Sequence, residues 1–367
     1  MRVLYVSTSC GLHDRRFLEY LRDASHIDSG FLHIAHDDVR QEARHAHHGL
    51  VETTWTVDGR LAVDKVVRSI RAVFGAFQPD VVHAGPIPTV TYLAALAEAP
   101  GLTGMSWGFD LLRDAAESSG EAATRAQLAL ARCRAFIADC ETVREAAIAF
   151  GMDGARTIVV PWGVDIEAFS PEQSDSSVRS HHGIPDAATV FFTNRAWEPD
   201  YRVDIVIRAF EFIASHVPNA WLLIAGDGSL APDIRLRIAS SPARLRIVET
   251  GRLALAPMVA HYRNSDIYVS ASRIDGSSVS LLEAMACGLP AIVVDHPANR
   301  EWVSDGTTGW CFLRDDAADL AQKMLASVSV AEDRKRMGAA ARDVVTQRAN
   351  WTRNRSRLYD AYKLALR

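Results

Sequence analysis

The segment 270–295 constrains the fold of this chain more than any other part. Its sequence, SASRIDGSSVSLLEAMACGLPAIVVD, predicts a strand ending near Ser272, a loop of small residues, a short helix and a second buried strand, Ala291–Val294. Gly288 and Pro290 mark the end of the helix, because glycine closes helices and proline cannot continue them. The segment therefore predicts a strand–helix–strand unit.

The loop before this helix has the composition of an anion site. Its small residues lead directly into a helix N-terminus, where backbone N–H groups and the helix dipole favour an anion. Asp275 lies in the loop and Glu283 in the helix, with seven residues between them. A phosphate site flanked by two acids suits a sugar nucleotide. A strand–helix–strand unit whose acids are merely solvated is the alternative that this segment alone leaves open.

Buried strands and helices alternate along the whole chain, which predicts parallel sheets covered by helices. The predicted strands of the first half are 3–7, 81–83, 135–138 and 157–161. Those of the second half are 189–193, 220–225, 246–249, 267–270 and 291–294. The chain is therefore expected to be an α/β protein, with ligands at the carboxyl ends of its strands.

A polar segment rich in Ser, Asp, His and Gly divides the two sets of strands. The sequence therefore predicts an N-terminal Rossmann-like domain at 1–170, a linker at 171–187 and a C-terminal Rossmann-like domain at 188–349. A basic helix at about 350–367 carries Leu358, Tyr362 and Leu366 on one stripe. We expect this stripe to pack back on the N-terminal domain.

Composition excludes several classes of protein. A length of 367 residues allows two domains, and a formal net charge of -5 gives no case for nucleic acid. The five scattered cysteines, without a CxxC pair, favour reduced thiols over disulfides or a zinc site. The opening MRVLYVSTSC predicts a strand and no signal peptide, and no apolar run reaches the ~18 residues of a membrane span. A cytoplasmic protein is expected, with peripheral contact at the inner membrane face at most.

Histidine clusters do not have the spacing of a metal site. His45, His47 and His48 form one cluster and His181–His182 another, and neither has suitable accompanying ligands. We therefore expect no metal and no cofactor.

The order Asp275-Gly276, then LLEAMACGLP, then a valine-rich strand resembles the signature of retaining glycosyltransferases with the GT-B fold. The closest similarity is to family 4, the glycosyl transferases group 1. VPWGVD at 160–165 looks like the crossover segment of that family. The resemblance implies two Rossmann-like domains with parallel sheets facing a central cleft. It also implies that the C-terminal domain binds the donor and the N-terminal domain the acceptor.

The resemblance also implies the donor-binding residues. Arg195 follows a strand and matches the arginine that meets the donor diphosphate; Asp200 replaces the lysine usual five residues later, so Arg202 is expected to assist. Asp275 stands where the family usually has Glu and is expected at the donor sugar, with Glu283 at the ribose hydroxyls. The full donor set implied is Arg195, Arg202, Arg252, Leu253, Gly276, Ser277, Ser278, Val279 and Glu283.

Two N-terminal loops are implied to form the acceptor side. Gly11 stands alone after the first strand, beside His13, and MSWGFDL at 105–111 places Trp107 where the family often has His. Trp107 cannot accept a proton, so it is expected to be a stacking wall for the acceptor or, alternatively, a core aromatic. The catalytic residues predicted in all are Arg195, Asp275, Asp110 and His13.

The predicted reaction transfers a hexose or amino-hexose from a nucleoside-diphosphate sugar to an acceptor hydroxyl, with retention of configuration. UDP-sugars are favoured over GDP-sugars, and the acceptor is a small molecule, a glycan or a glycolipid. Two alternatives stay open. One is a GT-B sugar-nucleotide epimerase; the other is a catalytically weak, binding-only partner subunit, which the missing lysine suggests.

Overall fold

The chain folds into two parallel-sheet units of alternating strands and helices. The computed structural model describes residues 1–35, 50–51, 53–116, 120–171, 177–328 and 331–367. One unit comprises Met1–Val160 with Arg353–Arg367, and the other comprises Pro161–Thr352. The α/β class with two Rossmann-like domains is therefore as predicted.

The division between the units lies earlier than the predicted linker at 171–187. The chain changes units between Val160 and Pro161, and the described residues 177–187 belong to the second unit. Backbone hydrogen bonds explain the shift, because Val164 N–H donates to Ala349 at 2.8 Å and Trp351 N–H donates to Val164 at 3.1 Å. Residues 172–176 of the predicted linker lie outside the described residues.

The first unit contains a seven-stranded parallel sheet. Its spatial order is β3-β2-β1-β4-β5-β6-β7, so the order reverses between β1 and β4. The strands are β1 Arg2–Ser7, β2 Asp28–Ala35, β3 Thr53–Asp58, β4 Val81–Ala84, β5 Thr103–Met105, β6 Ala135–Ala138 and β7 Thr157–Val159. The α-helices are Leu12–Asp23, Val63–Phe77, Tyr92–Leu96, Glu121–Arg132, Glu141–Ala149 and Arg357–Ala365, with π-helical turns at Ile87–Thr91 and Asp110–Ala115.

The second unit repeats this plan with six parallel strands. The order is β10-β9-β8-β11-β12-β13, with the reversal between β8 and β11. The strands are β8 Thr189–Thr193, β9 Ala220–Ala225, β10 Ile247–Gly251, β11 Ile267–Ser270, β12 Ala291–Val294 and β13 Gly309–Phe312. The α-helices are Ser177–His181, Val203–His216, Ala231–Ser240, Leu255–Arg263, Val279–Ala286, Pro297–Arg300, Ala317–Val328, Ala331–Arg348 and, at the division, Trp351–Asn354.

Both faces of the second sheet are covered, which explains its continuous apolar strands. Neighbouring side chains of a strand point to opposite faces. Accordingly, Phe191 packs in one apolar cluster and Phe192 in the other, and both are fully buried. A strand buried on both sides is an unbroken hydrophobic run, as expected for a parallel sheet.

The helix Arg357–Ala365 packs on the sheet of the first unit, where we expected the C-terminal helix to lie. Its Leu358 and Tyr362 are fully buried, whereas Leu366, just beyond it, is 52% exposed. The Tyr362 hydroxyl lies 2.9 Å from Nδ1 of His83 on β4. Two of the three residues in the predicted apolar stripe are therefore buried, and one of them, Tyr362, also makes a polar contact with the sheet.

Candidate functional site

The candidate site lies where the strand order of the second sheet reverses. In open parallel sheets a crevice forms at this point, because the loops after the two central strands turn to opposite faces. Asn194 and Arg195 follow β8, and Asp275 lies in the loop after β11. Residues 80 positions apart in the chain are thus brought together, and the site forms at the predicted edge of the sheet.

Arg195 is the centre of this site. Its Nη2 donates to Oδ1 of Asp275 at 2.9 Å, and its Nη1 donates to the hydroxyls of Ser278 at 2.8 Å and Ser280 at 2.7 Å. The ring of Tyr201 lies 4.2 Å from the guanidinium carbon. The guanidinium is thus held in one orientation by an anion, two hydroxyls and an aromatic face.

The ion pair between Arg195 and Asp275 is largely shielded from solvent. The side chains are 10% and 16% exposed, respectively. Burial opposes the charge on Arg195, but the nearby Asp275 carboxylate raises its pKa above the ordinary value. Burial raises the pKa of Asp275, and the opposing effect of Arg195 does not cancel this rise. The site therefore contains a permanent cation beside a carboxylate that is poorly solvated.

The loop 276–278 leads directly into the N-terminus of the helix Val279–Ala286. Ser278 occupies the N-cap position, yet its hydroxyl does not cap the helix and instead accepts from Arg195. The first-turn amides of a helix have no acceptor within the helix. Gly276, Ser277, Ser278 and Val279 thus surround a helix terminus beside a cation, which is the arrangement expected for binding a phosphate.

Glu283 projects from the same helix into a chain of hydrogen bonds. The Tyr262 hydroxyl donates to Oε2 of Glu283 at 3.0 Å and accepts from Nδ2 of Asn194 at 2.7 Å. Tyr262 is fully buried, and burial, followed by the Glu283 carboxylate, raises its pKa well above the ordinary value. The neutral phenol has one proton to donate, and Glu283 shares it with the carbonyl of Ser280, which also lies 3.0 Å from the hydroxyl.

Arg202, predicted to assist at the donor diphosphate, is paired with two carboxylates in this structure. Its Nε and Nη2 bind both oxygens of Asp204 at 3.0 Å, and its Nη1 binds Asp315 at 2.5 Å. Hydrogen bonding to Asp204 raises the pKa of Arg202 despite partial burial. Two carboxylates neutralise this guanidinium, and its predicted part in diphosphate binding stays a prediction.

Arg252 and Leu253 follow β10 through a turn at Gly251, where φ is +67°. Arg252 is 78% exposed on its side chain, and its Nε lies 4.0 Å from Asp227. Leu253 packs against the second apolar cluster. In this structure neither side chain contacts Arg195, so their predicted part in donor binding stays a prediction.

In the first unit, Asp14 organises the loop after β1. Its Oδ2 accepts from Gly11 N–H at 2.9 Å and from Ser9 Oγ at 2.7 Å, while the hydroxyl of Tyr5 donates to Oδ1 at 3.0 Å. A carboxylate thus already occupies the N-terminus of the helix Leu12–Asp23. This terminus is consequently unsuited to a second anion, whereas the N-terminus of the helix Val279–Ala286 has no side-chain cap.

His13 and Trp107, both predicted on the acceptor side, lie together in the first unit. Their ring centroids are 6.0 Å apart and the rings meet edge to face at 81°. Both side chains are half-buried. The structure therefore brings the loops after β1 and β5 together around these two residues.

Asp110, predicted to be a catalytic residue, lies in a buried hydrogen-bond network. It is fully buried, and its carboxylate accepts from the Ser106 hydroxyl at 2.6 Å, the Trp107 N–H at 2.9 Å and the Ile87 N–H at 2.8 Å. Burial raises its pKa even though these three donors oppose the rise. Asp110 thus joins the loops after β4 and β5 and holds the backbone of Trp107, and its predicted catalytic role stays a prediction.

The remaining sequence predictions concern metals, cysteines and membranes. Within the described residues, His, Cys, Asp and Glu side chains form no group of three suited to a metal ion. His45, His47 and His48 lie outside the described residues, and the His181 and His182 rings meet edge to face with centroids 4.9 Å apart. All five cysteines are free thiols. Among the described helices, none combines the length and apolar character needed to cross a bilayer.

Sequence reasoning missed three participants in the site. Ser280 binds Arg195, Tyr201 covers it, and Tyr262 orients Glu283. Ser280 carries a signal that could have been read, because it lies on the first turn of the helix that the loop enters. The contacts of Tyr262 span 21 and 68 residues, so no local pattern could reveal them.

Comparison with known proteins agrees with this geometry. Residues 175–344 match the family described as glycosyl transferases group 1. A curated relative is the "GDP-mannose-dependent monoacylated alpha-(1-6)-phosphatidylinositol monomannoside mannosyltransferase" of Corynebacterium glutamicum, 28% identical over 52% of this chain and 52% of the relative. Another is the "D-inositol 3-phosphate glycosyltransferase" of Kineococcus radiotolerans, 26% identical over 74% of this chain and 60% of the relative. This chain thus spans about half to three fifths of these relatives.

The fold is also shared with solved structures over nearly the whole chain. Anabaena Alr3699/HepE in complex with UDP superimposes with a TM-score of 0.81, at 18% identity, over 99% of this chain and 100% of that chain. The predicted GT-B class is confirmed by this match. The predicted resemblance to the group 1 glycosyltransferases is confirmed by the family match.

Proposed function

Because residues 175–344 of this chain belong to the glycosyl transferases group 1 family, we propose that the protein is a retaining hexosyltransferase. Its substrates would be a nucleoside-diphosphate sugar, which supplies a hexose or amino-hexose, and an acceptor with a free hydroxyl. The observation that carries this proposal is the arrangement of Arg195, Asp275 and the uncapped N-terminus of the helix Val279–Ala286.

This arrangement fits each part of such a donor. The diphosphate would bind Arg195 and the first-turn amides of the helix, since both offer N–H donors and positive potential. Asp275 would accept hydrogen bonds from the sugar hydroxyls. Glu283, one turn along the helix, would accept from the ribose hydroxyls with its carboxylate held by Tyr262. A sugar, a diphosphate and a ribose thus meet their partners along one loop and helix.

The same groups would favour bond cleavage. As the bond from the anomeric carbon to the diphosphate breaks, negative charge accumulates on the departing phosphate. Arg195 and the helix terminus are fixed in place and would stabilise this charge without reorganising. In a reaction with retention, the acceptor attacks from the side of the leaving group. The departing phosphate oxygen can then take the acceptor proton, and no separate base is needed.

The acceptor would bind the first unit through the loops that contain Gly11, His13 and Trp107. The contact between the His13 and Trp107 rings supports this proposal, because an aromatic face beside a polar ring suits a sugar or an aglycone. Both nucleotides remain proposals for the donor. One relative is named for GDP-mannose, and a neighbour of the same fold contains UDP.

A donor panel tests the proposal. UDP-glucose, UDP-galactose, UDP-N-acetylglucosamine and GDP-mannose would be incubated with the protein, with and without monosaccharide, oligosaccharide and glycolipid acceptors. Nucleotide release that requires an acceptor supports a transferase. Conversion of the donor sugar without any acceptor would instead identify an epimerase. Nucleotide binding without turnover across the whole panel would support the binding-only alternative.

A further inference from the structure

Asp275 occupies the side of Arg195 that an anionic ligand would use. The guanidinium has Tyr201 over one face, and its Nη1 is engaged by the hydroxyls of Ser278 and Ser280. Nη2 then donates to Oδ1 of Asp275. With a side chain 10% exposed, Arg195 has no second approach of equal quality for a phosphate oxygen.

The contact between Asp275 and Arg195 is also incomplete. It consists of one hydrogen bond, whereas the strongest arginine–carboxylate pairs have two parallel ones. Nε of Arg195 is buried and has no hydrogen-bond partner among the described residues. A buried donor without an acceptor is unfavourable, so the guanidinium is not fully satisfied by its present neighbours. A ligand with more oxygens than a carboxylate could satisfy it better.

A diphosphate and the Asp275 carboxylate could not both keep this position. They would be two anions a few ångströms apart at a poorly solvated cation, and like charges repel strongly there. Arg195 is the cationic side chain that pairs with Asp275 in the described part of the chain. A diphosphate that takes Arg195 therefore leaves Asp275 without its counter-ion. The carboxylate then keeps only the hydroxyls of Ser272 and Ser278, and further hydroxyl donors would compensate for the lost cation.

We propose that Asp275 is an internal substitute for the donor diphosphate: it pairs with Arg195, as in this structure, and exchanges that contact for sugar hydroxyls when the donor binds. This inference rests on the proposed function. It makes recognition of the sugar dependent on the diphosphate, because Asp275 turns to the hydroxyls only after losing Arg195.

The exchange also has a consequence for the product. Once the sugar has been transferred, Asp275 has lost the hydroxyl donors of the sugar, keeps those of Ser272 and Ser278, and competes again for Arg195. The nucleoside diphosphate is then displaced from its principal cation by a group already in the site. Product release, which limits the turnover of many enzymes, would thus be promoted by the residue that recognised the substrate sugar.

The Asp275→Asn variant tests this exchange, because the amide keeps the shape and one acceptor oxygen but removes the charge. Binding of UDP, GDP and inorganic pyrophosphate would be measured by calorimetry at constant ionic strength. A residue that only contacts ligand would weaken binding when changed. The exchange predicts the opposite: the variant should bind these sugar-free ligands roughly tenfold more tightly or better. The ratio of donor affinity to free nucleotide affinity should fall.

Asp233→Asn is the matched control, since it makes the same change in net charge at an exposed position of the helix Ala231–Ser240. This control variant should bind all three ligands with affinities within about twofold of those of the unmodified protein. Asp275→Ser, also neutral, replaces Asp275→Asn if the amide variant does not fold. Nucleotide binding that is equal or weaker in the neutral variant than in the unmodified protein overturns the exchange alone. If neither the unmodified protein nor the neutral Asp275 variant binds any of the three ligands, the proposed function and the exchange both fail.

Discussion

Arg195 supplies the positive charge of the candidate site because the surrounding side chains hold its guanidinium there. Three side chains and one aromatic ring hold it, whereas Arg202, seven positions later, is held by Asp204 and Asp315. Both arginines follow the same strand in the sequence. Asp204 is a local partner, two positions from Arg202, whereas Asp315 lies 113 residues away, so only the contact with Asp315 could not be predicted from the sequence.

The two arginines give a paired test of leaving-group stabilisation. Arg195→Ala should lower turnover by roughly 10²- to 10³-fold, the scale of losing a preorganised donor to developing charge. Arg202→Asn is the comparison, because residue 202 has φ +46° and Asn tolerates this conformation. Steady-state rates with the best donor should change only a few-fold in that variant. Equal losses in the two variants would contradict the assignment of Arg195.

The contact between Tyr262 and Glu283 should set nucleotide affinity. Glu283→Gln removes the charge that accepts from ribose hydroxyls, and Tyr262→Phe removes the hydroxyl that orients it. We expect each change to weaken UDP or GDP binding about tenfold, since a hydrogen bond to a charged group contributes roughly 1.5–3 kcal/mol. Calorimetry measures the affinity, and thermal unfolding checks that both variants fold. Unchanged affinity in Glu283→Gln would show that the ribose assignment is wrong.

Activity should survive excess chelator. Arg195 and the N-terminus of the helix Val279–Ala286 already supply positive potential at the proposed diphosphate position. The measurement is the rate of nucleotide release in EDTA, before and after addition of Mg²⁺ or Mn²⁺. Loss of turnover in EDTA that either ion restores would mean that a cation shares this task.

At the scale of elements, the sequence predicted most of the second unit well. The strands at 189–193, 220–225, 267–270 and 291–294 have the predicted bounds, because each is a short buried run between turn residues. The strands β2, β3, β5 and β13 were not predicted. β3 begins with exposed or half-buried residues at the edge of its sheet, where the apolar pattern is weakest.

The helix Val279–Ala286 is supported from behind by the helix Ala331–Arg348. Arg342 on the second helix donates to the carbonyl of Ala286, at the C-terminal end of the first, and to the carbonyl of Phe169 at 3.1 Å. A cation at the C-terminal end of a helix interacts favourably with the helix dipole. The candidate site is thus held by packing that lies far from the reacting groups.

The closest point of this packing is Gly338, and it gives a test of the support. A β-carbon there would overlap the carbonyl oxygen of Gly288, which ends the site helix. Gly338→Ala should therefore lower the free energy of unfolding by about 1–3 kcal/mol. Gly75→Ala is the control, since residue 75 lies in the exposed interior of a helix with open space around it. It should be neutral or stabilising by about 0.5–1 kcal/mol, as chemical denaturation would show.

At the scale of the whole molecule, each unit contains a buried histidine that must stay neutral. Burial lowers the pKa of His83 to about 3 and that of His296 to about 4. The unfolded chain binds protons at these residues from about pH 6.5 downwards, whereas the folded chain does not. The free energy of unfolding is therefore not reduced by these two histidines above about pH 6.5. It falls as the pH is lowered towards their folded-state pKa values of about 4 and about 3.

His83→Gln isolates this effect. Buried Asp14, Asp110 and Asp275 have raised pKa values and act in the opposite sense, so the comparison must be between variants. Between pH 6.5 and pH 4, the unmodified protein should lose up to about 3 kcal/mol more of unfolding free energy than His83→Gln. His216→Gln, at an exposed position, is the control. Parallel losses in all three proteins would contradict the assignment to His83.

The return of residues 353–367 to the first sheet has a consequence for how the protein is made. The second unit is one continuous stretch, so it can fold as soon as it has left the ribosome. The first unit must wait, because Leu358 and Tyr362 are synthesised almost two hundred residues after the sheet they cover. Until then the surfaces of β5, β6 and β7 are open to water and to other nascent chains. The domain that begins first is completed last, and this interval is when the growing chain most needs the protection of a chaperone.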